Sequence, residues 1–362
     1  MPYPEEFEGI AVIQGQPWSE PRHVSYPAKA VGPRDIDIEI EACGVCGSDL
    51  HTVAGHWREL PPALVVGHEI VGRVVAVGSG ADTGFKVGDR VGVGAQVLSC
   101  LECERCDEGN EPYCEGFVSA YNRAYPDGYV SQGGYASHVR VHEHFVVPIP
   151  ESLPSELAAP LLCGGLTVYA PLIRGGCGPG VRVGIVGLGG LGHMAVLIAK
   201  ALGAYVVAFS RGSSKRADAL ELGADEYVAT AEEAAWDDKY VSKLDIVLVC
   251  ASSLQGVNLD QYIRTLRVGG TIISVCIPDK SEKLEMSAFA LRGVTVGNSQ
   301  LGSPQELRDL LELAAAKELK PWVETLPVGE AGVSEALTRM DKGDVRYRFT
   351  LTEFDKEFGL GK

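Results

Sequence analysis

Hydrophobic residues in the first 150 positions come in short runs that glycine interrupts every few residues. Two such runs are Val71–Val77 and Gly88–Val93. Short valine-rich runs bounded by turn-forming residues are typical of β-strands. The pattern therefore predicts an irregular, mostly β domain in this part of the chain.

From about residue 155 the pattern changes, and strand-like apolar runs alternate with stretches that have helical spacing. The helical stretches include Leu191–Leu202 and Lys215–Leu222. The strand-like runs are Val181–Val186, Tyr205–Phe209, Glu226–Val228, Leu244–Cys250, Thr271–Cys276 and Val294–Asn298. This alternation predicts an α/β domain with a parallel, doubly wound sheet and helices on both of its faces.

The last part of the chain adds a helical pattern at Pro304–Lys317 and strand-like segments at Val323–Pro327 and Arg346–Leu351. We expect these strands to return to the N-terminal domain, which would make that domain discontinuous. The predicted division is one domain at 1–155 and 297–362 and a second at 156–296.

Composition supports two domains and narrows the partners. The chain has 362 residues, of which 46% are hydrophobic and 22% charged, as in a folded protein with more than one core. Its 32 basic and 48 acidic side chains give a net charge of −16, which disfavours nucleic acid and anionic membranes as partners. No apolar run approaches the roughly 20 residues of a membrane span, and the acidic start differs from a signal peptide. These features predict a cytoplasmic protein.

A nucleotide-binding motif follows the first predicted strand of the second domain. The segment Gly187-Leu188-Gly189-Gly190-Leu191-Gly192 is a G-x-G-x-x-G placed between a strand and a helix. Its glycines permit the tight turn, the approach of a diphosphate and close helix packing. An ordinary glycine-rich turn is the alternative, but the order of strand, turn and helix favours a dinucleotide site.

The end of the second strand indicates which dinucleotide binds. An NAD site places a carboxylate there, whereas this chain has Ser210, followed by Arg211 and Lys215. The two cations suit a 2′-phosphate, so the sequence predicts NADP(H). The alternative is that they are solvated cations at a helix start, where the helix dipole opposes them.

Four of the ten cysteines, Cys100, Cys103, Cys106 and Cys114, fall within fifteen positions. Four thiolates in one short segment are enough for a closed, structural zinc site. An iron–sulfur cluster or plain buried thiols are the alternatives, but the seven-residue gap before Cys114 differs from the bacterial iron–sulfur spacing.

A second ligand set is suggested by Cys46, His68 and Cys163. Two cysteines and one histidine from separate loops would leave the open fourth position of a catalytic zinc. Spacing alone does not establish this grouping, because a lone histidine such as His68 is more often structural.

Six segments occur in the order found in one known family: Cys46–His51, Gly67–Glu69, the four-cysteine segment, Gly133–Ala136, Cys163–Thr167 and the Gly187–Gly192 motif. In these the chain resembles the zinc-dependent medium-chain alcohol dehydrogenases. Within that family it is most similar to the cinnamyl alcohol dehydrogenase group, in particular to yeast NADP-dependent enzymes of broad specificity. Arg346–Phe349 is similar to that group as well, so the resemblance runs nearly end to end. It implies a GroES-like, mostly β catalytic domain and a Rossmann NADP-binding domain.

The resemblance also implies roles for residues near the catalytic metal. Cys46, His68 and Cys163 match zinc ligands, and Glu69 matches a carboxylate that can also reach the metal. Asp49 matches the acid that orients the zinc-bound histidine. The residues that match a proton relay are Ser48 and His51.

On the cofactor side, Arg348 matches a cation near the phosphates. Further segments match the lining of the adenosine and the nicotinamide ribose, around Cys250, Ser252, Val275, Ile277 and Ser299. We also expect Trp57 to line an apolar substrate pocket, although a tryptophan is as often a core residue.

The sequence and the resemblance together predict an NADP(H)-dependent enzyme with two zinc ions per chain. We expect it to interconvert primary alcohols and aldehydes, aromatic ones such as cinnamaldehyde and medium-chain aliphatic ones, and to act mainly as an aldehyde reductase. The alternatives are a polyol dehydrogenase of the same superfamily and a non-catalytic NADPH-binding protein. The resemblance suggests a homodimer paired through the nucleotide-binding sheets.

Overall fold

The computed structural model describes residues 4–82, 84–251, 257–276 and 286–360. Contacts divide the chain into two units, one with Met1–Cys163, Ser303–Glu318 and Trp322–Lys362, the other with Gly164–Gly302 and Leu319–Pro321. The sequence predicts boundaries near 155 and 297, whereas these units divide at 163/164 and 302/303. Residues 156–163 stay with the first unit because they lie in short helical turns that contact its strands.

The strands of the described residues are, in chain order, β1 (Glu6–Ile13), β2 (Arg22–Pro27), β3 (Asp35–Val45), β4 (Ala63–Val65), β5 (Ile70–Val77), β6 (Arg90–Val93), β7 (Gln96–Leu98), β8 (Val118–Ser119), β9 (His138–His142), β10 (Val146–Pro148), β11 (Arg182–Val186), β12 (Tyr205–Ser210), β13 (Glu226–Ala229), β14 (Leu244–Val249), β15 (Leu266–Ser274), β16 (Thr295–Asn298), β17 (Val323–Pro327) and β18 (Arg348–Thr352).

The α-helices of the same residues are α1 (Gly47–Val53), α2 (Glu104–Asp107), α3 (Ser155–Ala158), α4 (Gly164–Arg174), α5 (Gly190–Ala201), α6 (Arg216–Glu221), α7 (Leu259–Thr265), α8 (Met286–Ala290), α9 (Pro304–Ala316), α10 (Glu330–Asp341) and α11 (Phe354–Phe358). Short 3-10 turns lie at Glu111–Tyr113, Glu143–Phe145, Ala159–Leu162, Ser213–Lys215 and Trp236–Tyr240.

The first unit is built around a seven-stranded sheet in the order β10-β6-β5-β3-β18-β17, with β9 also paired to β3. A three-stranded sheet, β2-β1-β4, and the β7-β8 pair add to it. Ile36, Ile38 and Ile40 alternate along β3 and are almost completely buried, as period-two spacing requires. β18 pairs antiparallel with β3, so the end of the chain joins the sheet of the N-terminal part. The predicted mostly β fold is confirmed.

The second unit contains a six-stranded parallel sheet in the order β13-β12-β11-β14-β15-β16. All six residues of β14 are buried, which is expected for a parallel strand covered on both faces. The predicted doubly wound sheet is confirmed, although β15 begins at Leu266 and not at Thr271. The order reverses between β11 and β14, and in such sheets ligands bind at the carboxyl ends of the strands beside this point.

No single helix of the described residues has the length and apolar character needed to cross a membrane. Only the consecutive helical segments Ser155–Leu162 and Gly164–Arg174, taken together across a break, meet these two criteria.

Candidate functional site

Four buried donor side chains meet in the first unit. Cys46 lies between β3 and α1, and Cys163 follows the turn Ala159–Leu162. His68 and Glu69 lie between β4 and β5, and the donor atoms of all four residues lie within 4.8 Å of one another. His68 Nε2 is 3.2 Å from Cys163 Sγ. Two thiols and an imidazole form the ligand set of a catalytic zinc with an open position.

The charges around these donors fit a metal cation. Burial lowers the pKa of His68, but Asp49 and Cys46 outweigh it and raise this pKa well above its ordinary value. The pKa of Cys46 lies well below that of an ordinary thiol, mainly because Cys163 donates a hydrogen bond to it. Metal binding displaces protons from such ligands. Zinc binds thiolate and neutral imidazole, so a zinc ion would take the place of the protons that these side chains share, and the donor set fits zinc.

Asp49 orients His68 within this site. Its Oδ1 lies 3.0 Å from His68 Nδ1 and accepts a hydrogen bond of 3.2 Å from Gly67 N. Its Oδ2 accepts from Cys46 N at 2.8 Å and from the Tyr135 hydroxyl at 2.9 Å. Because Oδ1 faces Nδ1, the Nε2 atom of His68 is left to face the metal.

Glu69 forms a buried ion pair with Arg348, whose Nη2 donates to Glu69 Oε1. Burial raises the pKa of Glu69 to about 7, against the opposing effect of Arg348. Arg348 Nε has no hydrogen-bond partner among the described residues. The role of Arg348 beside the cofactor phosphates stays a prediction. The structure shows in addition that Arg348 forms an ion pair with Glu69.

The predicted relay residues lie on α1. Ser48 Oγ is 3.8 Å from Cys46 Sγ, next to the metal ligands. His51 Nδ1 is 2.9 Å from His56 Nδ1, and the Trp57 ring stacks on His51 with centroids 5.2 Å apart. Sequence reasoning gave His56 no role and placed Trp57 in a substrate pocket. The structure brings both side chains to His51, and the pocket role of Trp57 stays a prediction.

The four clustered cysteines form a second group of donors around α2, and their sulfur atoms also lie within 4.8 Å of one another. Four of the sulfur–sulfur distances lie between 3.4 and 3.9 Å. A tetrahedron with edges of about 3.7 Å has its centre about 2.3 Å from each corner, which is the Zn–S bond length. Cys100, Cys103, Cys106 and Cys114 therefore fit a structural zinc site.

The glycine motif in the second unit follows β11, and α5 begins at its fourth residue. Gly187 has a positive φ of 92°, which the tight turn requires. A Cβ on Gly192 would lie 1.8 Å from Gly187 O, so the third glycine permits close helix packing. A Cβ on Gly189 would have no neighbour within 4 Å. The open side of Gly189 suits a diphosphate, with Leu188, Gly190 and Leu191 completing the motif.

Ser210 ends β12, and Arg211 is exposed directly after it. Lys215 Nζ donates to Leu188 O at 2.6 Å, so this cation lies against the glycine motif. That Ser210, Arg211 and Lys215 surround the adenosine ribose and its 2′-phosphate stays a prediction. No carboxylate follows β12 until Asp218, which is buried.

Three further predicted cofactor residues lie at the carboxyl ends of neighbouring strands. Cys250 N donates to Val186 O at 2.8 Å, and Val275 N to Val249 O at 3.1 Å. Ser299 is buried, and its hydroxyl has no hydrogen-bond partner among the described residues. Ser252 and Ile277 lie outside the described residues.

Sequence reasoning missed two tyrosines that contact His68 or the carboxylate that orients it. Tyr135 contacts Asp49, and the Tyr121 hydroxyl lies 3.2 Å from His68 Nδ1. The Gly133–Ala136 segment, which matches the family, could have drawn attention to Tyr135. Its sequence does not reveal which residues the tyrosine side chain contacts.

Comparison with known proteins agrees with this arrangement. The Alcohol dehydrogenase GroES-like domain family matches residues 32–151, and the Zinc-binding dehydrogenase family matches residues 190–316. The chain is 59% identical to NADP-dependent alcohol dehydrogenase 6 of Saccharomyces cerevisiae, over 99% of both chains. It is 40% identical to mannitol dehydrogenase of Petroselinum crispum, over 90% of this chain and 96% of that one.

Two solved structures have the same fold. A cinnamyl alcohol dehydrogenase from Sorghum bicolor superposes with a TM-score of 0.89 at 35% identity, covering 96% of this chain and 97% of that one. CAD from Helicobacter pylori, complexed with NADP(H), superposes with a TM-score of 0.86 at 29% identity, covering 96% and 98%. The expected family is thereby confirmed: the chain belongs to the zinc-dependent medium-chain alcohol dehydrogenases.

Proposed function

We propose that the protein interconverts primary alcohols and aldehydes with NADP(H) and zinc, and that it works mainly as an aldehyde reductase. The observation that carries the proposal is the buried cluster of Cys46, His68, Glu69 and Cys163 in a chain of this family. The names of the yeast relative and of the Helicobacter pylori structure support the cofactor.

Cys46, His68 and Cys163 would hold the catalytic zinc, and Glu69 lies within reach of the same position. When bound, zinc supplies a Lewis acid that polarises a carbonyl oxygen or favours ionisation of an alcohol. The chain holds the ligands in place for this chemistry, because Asp49 fixes the ring of His68 and burial keeps the ligands from water.

Proton movement is assigned to α1. Ser48 places its hydroxyl beside Cys46, so it can donate a proton to a substrate oxygen in the open ligand position. His51 lies one helical turn further along and is partly exposed, which suits exchange with solvent. When bound, NADPH would supply the hydride, so the two residues would move only the proton.

The choice of NADP(H) is assigned to the loop after β12. Arg211 is exposed and offers a planar fork for a 2′-phosphate, whereas Ser210 stands where NAD sites have an acid. Loss of one charge-assisted contact costs about 1.5–3 kcal/mol. For Arg211→Ala we therefore expect kcat/KM with NADPH to fall about 10- to 100-fold, with little change for NADH.

Arg216→Ala is the matched control, because Arg216 is bonded to Tyr227 O and Glu233 within the unit. It should keep the preference for NADPH. An Arg211→Ala enzyme that keeps its full preference for NADPH would contradict the assignment.

Substrate class is tested by steady-state kinetics in both directions on cinnamaldehyde, hexanal and the polyols mannitol and sorbitol. The mannitol dehydrogenase relative keeps the polyol alternative open. We expect aldehydes to be reduced with the highest kcat/KM. Turnover of a polyol without turnover of cinnamaldehyde would favour the alternative. Full function in the organism after His68→Ala would favour a non-catalytic role.

We further propose a homodimer in the cytoplasm. β16 is the last strand of the parallel sheet and pairs only with β15 among the described strands, which leaves an edge for a second copy. Val268 and Leu291 of the same unit are 84% and 87% exposed, and a partner would cover such apolar side chains. None of the ten cysteines, all of which lie among the described residues, forms a disulfide, which suits a reducing compartment. Sedimentation velocity would measure the oligomeric state.

A further inference from the structure

The Gly133–Ala136 segment has no part in the chemistry proposed above, yet it runs along the metal-binding loop. Gly133 N donates to Val65 O at 2.8 Å, Gly134 N to Gly67 O at 2.8 Å, and Tyr135 N to Val66 O at 3.0 Å. The segment therefore holds the three residues directly before His68. A Cβ on Gly133 would lie 2.5 Å from Gly67 O, so only glycine permits this approach.

The ring of Tyr135 is fitted to the same loop. Tyr135 is fully buried, and a Cβ on Gly67 would lie 2.5 Å from its Cδ1 atom. Gly67 also has a positive φ of 100°. The glycine before His68 thus leaves the space that the tyrosine ring fills.

The hydroxyl of Tyr135 completes the surroundings of Asp49. The carboxylate has room for about four hydrogen bonds, two on each oxygen. Oδ1 faces His68 Nδ1 and Gly67 N, while Oδ2 accepts from Cys46 N and from Tyr135. Without the Tyr135 hydroxyl, Oδ2 would lose one of the two donors named here, while Cys46 N, Gly67 N and His68 would stay in contact with the carboxylate. Asp49 would then be held less firmly against His68.

We propose that Tyr135 is a positioning residue for the catalytic zinc site and acts through Asp49 on His68. The proposal rests on the proposed function only in assigning this zinc to catalysis. Partners in this outer position alter metal affinity by about 10- to 100-fold in other zinc proteins. The phenolic ring itself fills space, and only the hydroxyl contacts Asp49.

Tyr135→Phe tests the proposal, because it removes the hydroxyl and keeps the ring. In the zinc-loaded enzyme we expect a chelator to remove the catalytic zinc about 10-fold faster than from the parent. With cobalt in that site, the visible d–d bands should shift, since the imidazole is held less firmly. Tyr125→Phe, which alters another buried tyrosine of the same core, should release zinc at the parental rate.

Two further variants, Asp49→Asn alone and Asp49→Asn combined with Tyr135→Phe, show whether Tyr135 acts through Asp49. If it does, adding Tyr135→Phe to Asp49→Asn will not speed zinc release further. A parental release rate and cobalt spectrum in Tyr135→Phe would overturn the proposal, as would an undiminished effect in the Asp49→Asn background. Both readouts need no turnover, so they remain informative even if the enzyme reduces no aldehyde.

Discussion

Replacement of Cys114 by serine tests the structural zinc site. Cys114 is 5% exposed, and its sulfur accepts from Gly116 N at 3.3 Å and from Cys100 N at 3.5 Å. Two backbone donors thus fix the position of this sulfur, and cysteine sulfur is a ligand that structural zinc sites use. Serine keeps the size of the side chain but offers a hydroxyl that does not ionise at neutral pH.

The expected magnitude follows from the geometry. Each of the four sulfur atoms lies 3.4 to 3.9 Å from two others of the group, so we assign each thiolate a similar share of the binding free energy. Structural zinc binding is worth about 10–16 kcal/mol in zinc-finger peptides. One ligand in four then contributes about 2.5–4 kcal/mol, so Cys114→Ser should weaken zinc binding about 100- to 1,000-fold.

The assay is metal analysis after dialysis against a chelator that the parent resists. We expect two zinc ions per parent chain and one per Cys114→Ser chain, together with faster proteolysis between Cys100 and Cys114. Cys177→Ser is the control, since Cys177 belongs to neither group of donors and should leave two zinc ions bound. Two retained zinc ions in Cys114→Ser would refute the four-thiolate assignment.

Two stability predictions concern the same unit. Gly67→Ala should lower the free energy of unfolding by about 3 kcal/mol or more, because positive φ and contact with the Tyr135 ring both oppose a Cβ. Gly15→Ala has a similar φ but open space and should cost only about 1 kcal/mol, so equal losses in urea unfolding would contradict the steric argument. Arg140→Leu should cost about 3–5 kcal/mol, because it leaves the fully buried Asp37 carboxylate without its paired guanidinium. A urea-unfolding loss below about 1 kcal/mol would show that this pair is dispensable.

The structural zinc site and the glycine motif are each local in the sequence, whereas the catalytic zinc site is not. The four clustered cysteines need only one short segment, and the motif Gly187–Gly192 needs only a strand before it and a helix after it. Both were therefore assigned from spacing, and the structure gives each the geometry expected. The catalytic ligands come from three separate loops, so only the family resemblance grouped them before the structure did.

Long-range partners were beyond sequence reasoning even where the residues themselves had been singled out. Arg348 was assigned to the cofactor, yet it pairs with Glu69, 279 positions away. Tyr135 was noted as part of a motif, yet its contact with Asp49 spans 86 positions. In both cases the residue type was visible, but the direction of its side chain was not.

The sequence by itself determined the local elements. These are the valine-rich strands, the strand–turn–helix nucleotide motif, the four-cysteine segment and the absence of an acidic residue directly after β12. These depend on contacts between residues that are close along the chain, so their residue types and spacing carry the information. Only the tertiary structure decided that residues 156–163 belong to the first unit, and that Tyr135, Asp49 and His68 form one chain of contacts. The physical reason is that pairing β18 with β3, and 133–135 with 65–67, brings distant segments within hydrogen-bonding reach. No local pattern encodes these distances.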